Sequence, residues 1–193
     1  DRIVENEGTS YKVHDGQHVD IEFRDYNSFL FGLATGFPYE HSVISDSMFL
    51  LGNKGYYNWA KTIARNLILD TDYIISQLND RAKHLKSNLD CHLSDEHDFE
   101  AVISLYSIAT IIIQISILKQ FPQKTYSCDI IYLAQLDFLT KYAENNDTFD
   151  ETFLTTFNQI IYMFKRESRP GNMEILQKYY TTIVNYFPEV NND

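Results

Sequence analysis

Between Ala101 and Leu118 the chain carries no charged residue, and this run limits the possible folds more than any other feature. Such a segment must leave water, either into lipid or into the middle of a protein. Its polar residues favour the second. Ser104, Ser107, Thr110 and Gln114 recur at helical spacing as one weakly polar stripe, while Ile, Leu, Val and Tyr cover the remaining surface. A membrane-spanning helix wants about 20 predominantly apolar residues. This run is barely that long, and Ser116 adds to its polar content. The expected structure is all-α, an irregular helical bundle or a short stack of antiparallel helical hairpins around a buried central helix at 101–118, with no membrane span.

The rest of the chain reads as helices separated by turn signals. Residues 1–10 form a polar lead-in, and 11–193 are expected to make one helical domain. Near the start, Asp15-Gly16 can turn a small β-hairpin, because Val19, Ile21 and Phe23 alternate with Asp20 and Glu22. Asp25 can cap a short helix that Gly36 and Pro38 end, and a second short helix is expected over 43–51. A third follows the Gly-bounded turn at 52–55, with Trp59, Ile63 and Leu67 on one face. Asp70-Thr71 offers a capped restart, and 90–97 reads as the polar connector before the central helix, with Asp95 or Asp98 as its cap. Further helices are expected over 127–142, 149–165 (capped by Asp147 or Thr148) and 173–186. Seven Gly and four Pro in 193 residues suit long regular elements better than a turn-rich β fold.

Charge narrows the possible partners. With 16 Lys and Arg against 27 Asp and Glu, the net charge is −11, the opposite of what phosphate backbones and anionic membranes attract. The basic groupings around Arg81 and Lys165 are small and read as helix ends, where cations complement the dipole. Direct nucleic-acid binding is therefore not expected, whereas a protein partner with a basic surface is. Cys91 and Cys128 fall in different elements, which fits a reducing intracellular setting, cytoplasmic or nuclear. The polar start holds no apolar signal segment, and the absence of an initial Met fits a domain cut from a longer protein.

The chemistry-bearing residues do not assemble into a motif. His84, Cys91, His92, Asp95, His97 and Asp98 cluster in sequence, but one Cys without paired Cys or His spacings is a poor zinc pattern. The expectation is an acidic interhelical loop, with no metal or other cofactor. Neither cysteine sits in a nucleophile motif, and no phosphate loop, dinucleotide fingerprint or calcium loop is present. The Asn58-Trp59 pair resembles the Asn-Trp-Gly-Arg stretch of the Bcl-2-like fold. Here Ala60-Lys61 stand in place of Gly-Arg and the pair lies far upstream of the apolar run, so nothing is carried over.

Tyr56, Tyr57 and Trp59 are the candidate interaction residues, because Tyr and Trp dominate binding hot spots. The competing expectation, which the residues favour, is that Trp59 anchors the core while one Tyr caps its edge. The function expected from all this is a non-enzymatic protein–protein interaction module, a subunit or scaffold domain of a larger intracellular assembly. Two alternatives stand beside it: a small acidic inhibitor of the immunity-protein or antitoxin type, and a helical enzyme or ligand-binding regulator with an aromatic-lined pocket.

Overall fold

In the computed structural model, which describes residues 9–12, 18–21, 26–46, 53–120, 124–126, 131–166 and 173–186, the uncharged run is the body of one long helix, Asp98–Leu118. The chain begins with two strands, β1 (Thr9–Lys12) and β2 (His18–Ile21), paired antiparallel with Tyr11 opposite Val19. Then follow α1 (Tyr26–Thr35), α2 (Pro38–Asp46), α3 (Lys54–Asn66), the short strand β3 (Ile68–Asp70), α4 (Thr71–Ser94) and α5 (Asp98–Leu118). Strand β4 (Lys124–Tyr126) pairs antiparallel with β3, and a 3-10 turn at Ile131–Ala134 leads into α6 (Leu136–Glu144), α7 (Glu151–Lys165) and α8 (Met173–Asn185). The architecture is an all-α irregular bundle with two small two-stranded sheets.

Helix α5 is the axis of the bundle, with α4, α6, α7 and α8 packed around it. Leu105, Ile108, Ile113 and Leu118 are fully buried, and they join Leu78, Leu89, Phe153, Phe157 and Ile160 in one core. Among the described residues α5 alone is long and apolar enough to cross a membrane, yet 67% of its most apolar window is buried by neighbouring helices. Two members of the polar stripe are hydrogen-bonded through their side chains. Gln114 donates through Nε2 to the Leu133 carbonyl at 2.8 Å, and Thr110 donates to the Ser107 carbonyl at 2.8 Å. Further along, Ser116 and Gln120 meet the Tyr142 hydroxyl, which also accepts from Asn146 Nδ2 at 2.7 Å. One phenol thus fastens the end of α5 to α6.

The turn between α4 and α5 is shorter than its composition implies. The polar string at 90–97 was expected to be a connector, but α4 runs on through Ser94. Leu85, Leu89 and Leu93 continue its apolar face at intervals of one turn, and all three reach the core. The helix stops at a Schellman turn: the His97 N–H donates to the His92 carbonyl at 2.9 Å, with Glu96 in the left-handed region at φ 60°. Glycine is the usual signal for that position, and a glutamate there leaves no trace in the sequence. His97 rather than Asp95 or Asp98 is the N-cap of α5 and makes no side-chain cap bond, while Asp98 and Glu100 sit in the first turn beside the positive helix end.

Other boundaries moved for equally physical reasons. Pro38, expected as a terminator, opens α2, so the helix expected over 43–51 begins five residues earlier, at Pro38, and is described through Asp46; residues 47–51 lie outside the described residues. Proline has no N–H to lose at a first helical position. Gly36 supplies the left-handed turn before it (φ 83°), and a Cβ there would meet Leu69 Cδ1 at 2.6 Å. The helix expected at 127–142 is replaced from Ile131 onward by the 3-10 turn and α6, and residues 127–130 lie outside the described residues. Asp150, not Asp147 or Thr148, caps α7 by accepting from the Phe153 N–H at 2.8 Å. Asp70 does cap α4, accepting from Asp72 and Tyr73. The pairing of β3 with β4 was not foreseen. It joins the start of α4 to the chain just beyond the end of α5, closing one end of the helical pair.

Candidate interaction surface

Helices α1, α2 and α3 form a smaller packing unit, and its register decides which aromatic side chains face solvent. Its core is Leu33, Ile44, Ala60 and Ala64, with Phe29, Tyr57 and Ile63 packed against them. The buried edge of α3 therefore runs through Tyr57, Ala60, Ile63 and Ala64, and Trp59 lies off it. Alanine lets two helix backbones approach closely, so α3 docks on its small residues and turns its one tryptophan outward. Trp59 is 50% exposed. The expectation that it anchors the core is overturned.

Tyr57 takes the edge-capping role. It is half-buried, and its hydroxyl accepts from Lys61 Nζ at 3.1 Å, with that ammonium 5.4 Å from its ring centre. Tyr56 points the other way and is 59% exposed. Its ring meets that of Tyr26, from the start of α1, edge to face at 5.9 Å between centroids, a favoured aromatic geometry. Tyr26, Tyr56 and Trp59, with Asn53 and Gly55, line a shallow depression of about 370 Å³. Asn53 fixes its rim by capping α3, its side-chain oxygen accepting from the Gly55 N–H at 2.9 Å and more weakly from that of Tyr56. No charged side chain lines the depression among the described residues.

Tyr26 was not singled out in the sequence, because nothing near it announces that α1 begins beside the turn into α3. Two buried polar residues were also missed. His41 is fully buried, and its Nε2 donates to the Leu33 carbonyl at 2.7 Å, tying α2 to α1. Burial holds its pKa below the ordinary imidazole value, partly opposed by the carbonyls of Leu33 and Ala64. Glu40 beside it is 5% exposed, and its side chain occupies the space that any Cβ at Gly32 would need.

The sequence cluster of metal-ligating types does not converge. His84 and Cys91 are exposed on α4, and Cys91 is a free thiol. The rings of His92 and His97 lie 6.1 Å apart across the α4–α5 turn. No group of three or more His, Cys, Asp or Glu suited to a metal occurs among the described residues. Cys128 lies outside those residues.

A second concavity sits elsewhere, over the polar stripe of α5. It has a volume of about 190 Å³ and is half enclosed by α2, α4, the 3-10 turn and α6. Neither His84 nor Cys91 lines it. Compared with protein-family models, curated proteins and solved structures, the chain matches none.

Proposed function

We propose that the protein is a non-enzymatic interaction module that binds another protein through the Tyr26–Tyr56–Trp59 surface. It would serve as a subunit or scaffold domain of a larger intracellular assembly. The observation that carries this reading is the cluster of three large rings, Tyr26, Tyr56 and Trp59, each at least half exposed and together lining one depression. Rings left half in water retain apolar area that a partner can cover, and each has few rotatable bonds to immobilise. Rigid placement supports the reading as well, since the rings of Tyr26 and Tyr56 pack edge to face and Asn53 caps the helix that carries Tyr56. The net charge of −11 favours a partner with a basic surface, whose encounter would be fast at low salt and slower as salt rises.

The test compares the intact chain with the Tyr56→Ala/Trp59→Ala double variant as baits for affinity capture, read by mass spectrometry. Both side chains are exposed, so the variant is expected to keep its circular dichroism and melting temperature. It is expected to lose the proteins that the wild type enriches. A folded double variant that enriches the same proteins equally well removes this surface as the contact site.

A further inference from the structure

The cavity over α5 is separate from the aromatic surface and calls for a different occupant. We propose that it is a binding site for a small organic monocarboxylate with a planar or short-chain apolar body. Its apolar walls come from Leu78 on α4, Ile111 on α5, Leu133 in the 3-10 turn and Leu139 on α6. Its volume of about 190 Å³ compares with the roughly 150 Å³ of an apolar cavity that takes up benzene. A ligand of benzoate or hexanoate size fits that space.

The polar lining determines the sign of the ligand. Arg81 contributes the only charge among the described residues lining the cavity, in a chain where acidic residues outnumber basic ones 27 to 16. Among the described residues no carboxylate pairs with that guanidinium. A guanidinium presents a planar fork of N–H donors that matches a carboxylate. The floor adds hydroxyls. Thr110 and the Gln114 amide are engaged with backbone carbonyls, but the Ser107 hydroxyl has no protein partner among the described residues. Tyr106 lines the same floor, its ring stacked on Phe164 at 4.2 Å, and burial raises its pKa, which keeps the phenol a donor. Donors at one end and aliphatic walls at the other describe an amphipathic anion. A cation finds no counter-charge among the lining residues.

Two-dimensional NMR of the labelled full chain, titrated with benzoate, hexanoate and benzamide, tests the assignment. At least one carboxylate is expected to give saturable shifts at the Gln114 side-chain amide and around 133–139, and benzamide is expected to give none. Arg81→Gln, a change at an exposed position, should weaken carboxylate binding about ten-fold or more without altering the core resonances. Ala134→Trp, also at an exposed wall position, should abolish it by filling the mouth. Absence of saturable shifts with both acids, equal affinity for benzamide, or undiminished binding by Arg81→Gln overturns the proposal.

Discussion

The two cores of this molecule are built on different terms. Around α5 the core is made of large apolar side chains, with Phe153, Phe157, Leu105 and Ile113 fully buried and its polar stripe turned to one edge. The α1–α3 unit has little apolar volume: four core residues, two of them alanine. It encloses two polar side chains instead, Glu40 and His41, and is held by close backbone approach and by a histidine bonded to a neighbouring helix. A large close-packed core loses stability in proportion to the volume removed from it, whereas a small polar-pinned one depends on a few specific atoms. The exposed aromatic surface rests on the second kind.

The difference can be broken deliberately. The largest effect is expected in the main core. Ile113→Ala removes a fully buried side chain on α5 and should cost about 2–5 kcal/mol by urea denaturation. A cost below about 1 kcal/mol would mean that α5 is not enclosed as described. Next is Gly32→Ala in α1. The added Cβ would lie 2.8 Å from two carbons of the buried Glu40 side chain, so the unit must shift, at about 1–3 kcal/mol. A neutral result would show that α1 and α2 are loosely docked.

The smallest effect is sharper in kind. The pKa of His41 is lower in the folded protein than its ordinary 6.5, through burial. Above about pH 6.5 the ring is neutral in both folded and unfolded chains, and its contribution does not vary. Below that value the unfolded chain takes up the proton first, so stability falls as the pH drops toward the folded pKa. His41→Gln should flatten that part of the stability–pH curve, measured by denaturant titration between pH 7.5 and 5 (a range chosen about the ordinary histidine pKa). An unchanged curve would show that His41 is not the titrating group.

How much of this could be read from the residues follows the same division. The buried central helix, the Asp70 cap and the periodic faces of α7 and α8 were legible, because long apolar periodicity and side-chain caps are local signals. The α4–α5 boundary was not, since Glu96 occupies a left-handed position that the pattern assigns to glycine. The start of α2 was misread because proline both ends and opens helices. Strand β3 pairs with a segment far along the chain, which no local pattern encodes. In the candidate surface, Tyr56 and Trp59 were named from residue type alone. Whether they faced inward depended on which edge of α3 met α1 and α2, and the alanines decided that. Tyr26 and His41 carried no signal at all, because their roles exist only once three helices have met.

Native-state hydrogen exchange of the full chain, without detergent, examines the enclosure of α5 most directly. Backbone amides of residues 104–115 are expected to exchange only through global unfolding, as the slowest in the protein, while those of α1 to α3 open earlier. If amides 104–115 exchange no more slowly than those of α1 to α3, or become protected only when detergent micelles are added, the helix is not the dry axis of a bundle.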